Sequence, residues 1–173
     1  VSRGGLKLEK ALSEFNINLS NKIMVDIGSS TGGFSDCALK NGVSKIYAID
    51  VGSNQLVSEI RNNSKVNVYE NTDFRAINDE ILKDANLATI DVSFISVTKL
   101  LEKLSGLNLS EIICLIKPQF ECGSEVSRKY KGIILNKKVH NDVLKRVINN
   151  FEKYNYYLNG LTYSPVCGGD GNI

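Results

Sequence analysis

Apolar and polar positions along this chain fall into two alternating periods. Leu8, Ala11, Leu12 and Phe15 recur at the i, i+3, i+4, i+7 spacing of one helix face, and Lys7 and Lys10 fall off that stripe. The short run Ile23 to Ile27 then predicts a first strand; it breaks into the small residues Gly28-Ser29-Ser30-Thr31-Gly32-Gly33, and a helical pattern follows from Phe34 to Lys40. Lys45 to Asp50 predicts a second strand, Val66 to Tyr69 a third, Ala88 to Asp91 a fourth and Glu111 to Ile116 a fifth. Between them, Asn54 to Arg61 and Ser93 to Leu104 predict helices, the latter burying Ile95, Leu100, Leu101 and Leu104. Val139, Val143, Leu144, Val147, Ile148 and Phe151 mark a long amphipathic helix, and Tyr156 to Tyr163 predicts a sixth strand. The fifth run is almost wholly apolar, as strands covered on both faces of a parallel sheet are. Alternating strands and helices imply an α/β fold: a doubly wound, mostly parallel, Rossmann-like sheet with helices on both faces, its last strand truncated.

Length and composition narrow this picture. At 173 residues and 42% hydrophobic content the chain supports one core, so residues 1–173 are expected to form a single domain. The longest uninterrupted apolar run, Ile112 to Ile116, is far below the ~18 residues of a membrane span, and no signal-peptide pattern opens the sequence, so a cytoplasmic protein is expected. Cys37, Cys114, Cys122 and Cys167 show no paired spacing, and His140 is the single histidine, so no metal site is expected. The sequence opens on Val1 rather than Met and stops at Ile173, which is read as a fragment of a longer protein.

The candidate chemistry sits where strands end. Gly28, Gly32 and Gly33 withdraw side chains beside a helix start whose N–H groups lack partners. Ser30 occupies the second glycine position of G-x-G-x-x-G, and no Gly-Lys-Ser/Thr follows Gly33, which excludes the dinucleotide fingerprint and the P-loop. Asp50, at the tip of strand two, is placed to accept hydrogen bonds from ribose hydroxyls. Asp26, Asp73, Asp91 and Lys117 fall at other strand ends, where ligands of open α/β sheets collect. A lysine directly after five apolar residues is costly unless paired, and Asp91 on the neighbouring strand is the natural partner of Lys117. Such a pair serves either general-base chemistry or the bracing of two strands.

Taken together, Val1-Ser2-Arg3-Gly4-Gly5-Leu6-Lys7-Leu8, the Asp26 to Phe34 loop, Ile90 to Ser96, Ile116-Lys117-Pro118-Gln119-Phe120-Glu121 and the closing Gly171-Asn172-Ile173 resemble the TlyA or haemolysin A proteins, within the FtsJ-like ribose 2'-O-methyltransferases. The resemblance spans essentially the whole chain. It implies the S-adenosylmethionine-dependent methyltransferase fold, that cofactor, and methyl transfer to a ribose 2'-hydroxyl of ribosomal RNA or ribosomal subunits. Of the Lys-Asp-Lys-Glu tetrad of that group, Lys7, Asp91 and Lys117 match; the glutamate would follow Ile173, and Glu121 does not occupy its position. The resemblance places Asp26, Gly28, Ser30, Gly32, Gly33, Asp50 and Asp73 around the cofactor, with Asp73 facing the adenine amine. It also implies an S4-type RNA-binding module upstream of Val1.

A net charge of +2 and a pI near 8.3 leave RNA binding to local clusters. Arg128, Lys129, Lys131, Lys137 and Lys138 lie in a stretch without acidic residues from Val126 to Asn141, and with Arg3, Lys7 and Lys10 they are candidates to grip phosphates. A membrane-active haemolysin and a catalytically silent cofactor- or RNA-binding module are the alternatives. A pore-former needs an exposed amphipathic hairpin or apolar helix, whereas the α/β core uses every apolar stripe found here.

Overall fold

A computed structural model of the chain describes residues 2–173; Val1, the first residue of the opening motif, lies outside the described residues. Five strands, β1 (Ile23–Ile27), β2 (Lys45–Ile49), β3 (Val66–Tyr69), β4 (Leu87–Ile90) and β5 (Glu111–Cys114), pair in the order β3-β2-β1-β4-β5, every pair parallel. Around them lie α1 (Arg3–Glu14), α2 (Gly33–Lys40), α3 (Ser58–Arg61), α4 (Leu101–Ser105), α5 (Pro118–Glu121), α6 (Ser124–Lys129) and α7 (Lys137–Lys153).

Strand parity divides the core between the two faces. Met24, Ile46, Ala48 and Leu87 pack with Leu8 and Leu12 of α1 and Phe34 and Cys37 of α2. Val25, Ile27, Ile49 and Ile90 point the other way, against Leu101 and Leu104 of α4 and Val143 and Val147 of α7. The helix stripe expected from Leu8 is therefore the buried face of α1, whose N-terminus Ser2 caps by accepting the Gly5 N–H at 3.1 Å. Gly33 lets α1 and α2 meet, because a Cβ there would lie 2.6 Å from Ser2 Oγ and 3.0 Å from Gly5 N.

Three sequence expectations are corrected, the first being the helix expected from Asn54, which begins only at Ser58. Tyr156 to Tyr163 forms no strand: Tyr156 packs on the core beside α7, its hydroxyl donating to the Leu109 carbonyl at 3.4 Å, whereas Lys10 Nζ donates to the Tyr163 carbonyl at 2.8 Å and a Cβ on Gly160 would meet the Phe15 ring at 2.5 Å, so the later residues of the segment lie against α1 and its end. Tyr157, Leu158, Leu161 and Tyr163 remain exposed along it. The helix expected from Ser93 starts only at Val97, as a 3-10 turn to Leu100, because Phe94 adopts a left-handed conformation (φ 65°) that interrupts helical geometry. Among the described residues no helix is long and apolar enough to cross a membrane, and no group of three or more His, Cys, Asp or Glu is arranged to hold a metal ion.

Candidate active site

The chain order reverses between β1 and β4, and the C-terminal ends of these strands open into a cleft of about 350 Å³ lined by Gly28, Ser30, Asp50, Asp73, Asp91 and Phe94 among others. Gly28 forms its floor. With φ at 83° it occupies the left-handed region, and a Cβ there would lie 2.3 Å from the Asp91 carbonyl oxygen, so no other residue fits without moving β1 from β4. Its N–H and that of Ser29 both donate to the Ile49 carbonyl, at 2.9 and 3.1 Å, which folds the loop over the end of β2.

Carboxylates organise the wall built by β1, β2 and β3 through backbone amides. Asp50 Oδ2 accepts the Ser30 N–H and Oδ1 the Gly52 N–H, each at 2.7 Å. Glu70 accepts the N–H groups of Asn54, Gln55 and Leu56 at 2.9, 3.0 and 2.9 Å and pairs with Arg61 at 2.6 Å. The Arg61 guanidinium and these amides hold its carboxyl down at about 2. Asp73 caps the Phe74–Ala76 turn and pairs with Arg75 at 2.8 Å, which lowers its carboxyl below the usual range.

Side chains organise the opposite wall. Asp91 continues β4, its N–H donating to the Ile27 carbonyl at 2.9 Å, and its Oδ1 pairs with Lys117 Nζ at 2.7 Å. Lys117 also donates to Ser93 Oγ at 3.0 Å, and the paired side chains are 19% and 20% exposed, open enough for a ligand to reach them. Phe94, 90% exposed, stands against Phe120 with ring centroids 4.9 Å apart. Lys117 Nζ lies 6.0 Å from the Phe120 ring centre.

The structure thus gathers Gly28, Ser30, Asp50, Asp73 and Asp91 around one cleft, with Lys117 joined to it through Asp91. It gives the other sequence candidates different places. Asp26 is fully buried, accepting the hydroxyls of Ser35 at 2.7 Å and Thr89 at 3.0 Å, so it braces β1 to α2 and β4 from inside. Burial pushes its carboxyl up to about 6, with Asp91 and Asp50 adding to the rise while the two hydroxyls oppose it. Gly32 and Gly33 serve packing: a Cβ on Gly32 would press on Leu56 at 2.9 Å, and Gly33 faces α1. Lys7 is half-buried on α1 and, among the described residues, neither lines the cleft nor forms an ion pair. Arg3 donates to the Cys167 carbonyl and Lys10 to that of Tyr163, both at 2.8 Å, so these cations tether the C-terminal segment, whose carbonyls lack a sheet partner. Arg128, Lys129 and Lys131 are exposed at the end of α6 and just beyond it.

Phe94, Phe120 and Glu70 were not singled out by sequence reasoning. Phe94 was hidden because its apolar neighbours fit a helical period; a serine on its N-terminal side and a second Ser two residues on, just past a strand-end acid, were the available signal.

Comparison with known proteins agrees with this geometry. The FtsJ-like methyltransferase family matches residues 1–173. YqxC of Bacillus subtilis, a candidate rRNA methyltransferase, is 53% identical over 177 residues, 100% of this chain and 63% of that protein. The 23S rRNA (cytidine-2'-O)-methyltransferase TlyA of Campylobacter jejuni is 42% identical over 177 residues, 100% of this chain and 68% of that protein. A crystal structure of a candidate hemolysin from Lactococcus lactis superposes with a TM-score of 0.92 at 44% identity, covering 99% of this chain and 84% of that one. The chain accordingly spans about two thirds of the length of the curated relatives it matches. The sheet and its flanking helices form the Rossmann-like fold of S-adenosylmethionine-dependent methyltransferases. Sheet order, glycine floor and end-to-end similarity converge: the chain belongs to the FtsJ-like methyltransferase family.

Proposed function

We propose that this chain is the catalytic part of an S-adenosylmethionine-dependent ribosomal RNA ribose 2'-O-methyltransferase. The observation that carries the reading is the Lys117–Asp91 pair, 2.7 Å across, at the rim of a cleft whose floor excludes any side chain at Gly28. The cofactor fits the residues present. Each Asp50 oxygen accepts one backbone N–H and keeps a lone pair for a ribose hydroxyl, Asp73 supplies an acceptor for an adenine amine, and the buried Ser29 Oγ in the glycine loop has no partner among the described residues. Bound S-adenosylmethionine supplies a methyl group made electrophilic by its sulfonium sulfur.

The protein's part is to bring a hydroxyl into line with that methyl and to manage its proton. Lys117 Nζ takes up or orients the 2'-hydroxyl proton as the oxygen forms its bond to carbon and the carbon–sulfur bond breaks; Asp91 and Ser93 hold the amine in place. Phe94 and Phe120 offer an aromatic face beside the reacting oxygen on which a nucleobase stacks. Arg128, Lys129 and Lys131 supply phosphate contacts, whereas Arg3 and Lys10 are already engaged. Lys7 keeps a substrate-positioning role by family resemblance alone.

Calorimetric titration with S-adenosylmethionine tests the cofactor half, with Asp50→Ala expected to weaken binding at least tenfold. Transfer of labelled methyl to unmodified ribosomal RNA, followed by mapping of alkali-resistant linkages, tests the acceptor half. Label on a base instead of a ribose would overturn the 2'-O assignment, and no binding by the chain or by a longer form would overturn the whole reading.

A further inference from the structure

Glu121 stands outside the reacting groups, yet its carboxylate is almost wholly enclosed, with its side chain 1% exposed. Each oxygen is used. Oε1 accepts the Val97 N–H at 2.8 Å; Oε2 accepts the Ser96 hydroxyl at 2.6 Å and the Arg146 guanidinium at 2.8 Å. Arg146, on α7, also donates to the Glu121 carbonyl at 2.7 Å. A carboxylate this deep is retained at a desolvation cost, and the three hydrogen bonds to its oxygens offset it.

The placement of these bonds is informative. Lys117 caps the start of α5 and Glu121 is its last residue, so the two lie at opposite ends of a single helical turn. Their partners bracket a second short segment: Lys117 holds Asp91 and Ser93, and Glu121 holds Ser96 and Val97. Between the two ties lies Phe94, exposed and left-handed, a conformation that persists in a non-glycine residue only where its surroundings enforce it. One tie alone would let the Asp91–Ser96 segment pivot against α5; two fix it, and α7 anchors the second through Arg146.

We infer that Glu121 is a positioning residue: with Arg146 it locks α5 to the segment after β4 and thereby sets where Lys117 Nζ and the Phe94 ring stand over the cleft. This rests on the proposed methyl-transfer reading for its catalytic consequence, but not for its geometric one. Glu121 touches no substrate in this scheme. Its effect passes through Lys117, and a displacement of about 1 Å at a reacting group is enough to cost on the order of a hundredfold in rate.

Glu121→Gln keeps the shape but turns an acceptor into a donor toward Ser96 or Arg146, and Ser96→Ala removes one tie without touching charge, together with the cap that Ser96 Oγ gives the Val97–Leu100 turn by accepting the Thr98 N–H at 3.2 Å. Two readouts separate the geometry from the activity. The first is acylation of Lys117 by a limiting amine-reactive ester, followed by peptide mass spectrometry with exposed Lys83 as internal reference. The second is the steady-state split of methyl transfer into kcat and the KM for S-adenosylmethionine. Glu121→Gln is expected to raise the Lys117 acylation rate at least threefold relative to Lys83 and to lower kcat about 10- to 100-fold with KM within about twofold; Ser96→Ala is expected to shift both in the same direction by less. If Glu121→Gln does not fold, Ser96→Ala decides. Unchanged Lys117 acylation in the folded variants overturns the inference, as does a uniform rise across all lysines, which is what general loosening gives. If the unsubstituted protein transfers no methyl group, the functional reading fails while the acylation comparison still decides the role of Glu121.

Discussion

The two walls of the cleft are built on opposite plans. On the β1, β2 and β3 side, acidic side chains are satisfied by main-chain N–H groups: Asp50 by Ser30 and Gly52, Glu70 by three successive amides of the Asn54–Leu56 loop. On the β4 and β5 side, side chains meet side chains, with Lys117 on Asp91 and Ser93 and Phe94 on Phe120. Backbone contacts give a wall whose shape is set by the fold, suited to one invariant ligand. Side-chain contacts leave polar and aromatic groups at the surface, where a reacting atom or a variable substrate can displace solvent. The two walls should therefore fail differently, the first through structure and binding, the second through rate.

Lys117→Ala gives the sharpest contrast. The rate of methyl transfer is expected to fall about 10²- to 10⁴-fold, as for loss of a positioned proton-transfer group, while S-adenosylmethionine affinity stays within about threefold. Because the substitution leaves the buried Asp91 Oδ1 without its ammonium partner, it is expected to cost about 1–3 kcal/mol of stability. Single-turnover kinetics and a thermal melt on the same preparation check this; an unchanged rate would remove Lys117 from the chemistry.

Gly28→Ala attacks a point where the two walls meet. The added methyl would sit 2.3 Å from the Asp91 carbonyl, on a backbone with φ at 83°. Strain and overpacking together are expected to cost about 2–4 kcal/mol, a drop in melting temperature of roughly 5–15 °C, with loss of cofactor binding. If the variant melted like the parent, the floor would be softer than its contacts imply.

The sequence made some of this legible and not the rest, for physical reasons. Asp50, Asp91 and Lys117 were readable because a charged residue closing an apolar run marks where a strand leaves the core, and open α/β sheets gather ligands at those ends. The partners of Arg3 and Lys10, Cys167 and Tyr163, could not be read, because they are 164 and 153 residues away, beyond any local pattern. Tyr156 to Tyr163 carries strand-like residues, but a strand needs a neighbour to pair with, and that is a property of the assembled sheet. Asp26 shares its run with strand-forming residues, and only the positions of Ser35 and Thr89 show that its carboxylate points inward.

Glu70→Gln tests the backbone-built wall by pH. The folded carboxyl sits near 2, below its ordinary value of 4.5, so its contribution is fully present above about 4.5 and is lost as pH falls toward 2. The glutamine variant is expected to bind S-adenosylmethionine about 3- to 10-fold more weakly at pH 7, because the Asn54–Leu56 amides lose a charged acceptor. In thermal melts the gap between parent and variant should narrow as pH drops from 4.5. A gap that stayed constant to pH 3 would show that the charge on Glu70 is not what pins the loop.

The smallest effect expected is also the one that joins the two walls. Asp26 lies beneath the boundary, bonded to Ser35 on α2 and Thr89 on β4, and its carboxyl is raised to about 6 mainly by burial, with Asp91 and Asp50 adding to the rise. A folded value above the ordinary 3.8 means that the neutral acid is the favoured form inside. Its contribution is therefore fully present below about 3.8 and lost as pH rises through 6, leaving a penalty at neutral pH of at most about 3 kcal/mol. Asp26→Asn keeps an acceptor for Thr89 and offers Ser35 a donor without the charge. Melting temperatures are expected to be a few degrees higher for the variant than for the parent at pH 7.5, with the difference vanishing by pH 4. A variant that melts lower than the parent at pH 7.5 would mean that the buried charge is held by its two hydroxyls more strongly than burial opposes it, and that Asp26 braces the walls as an anion.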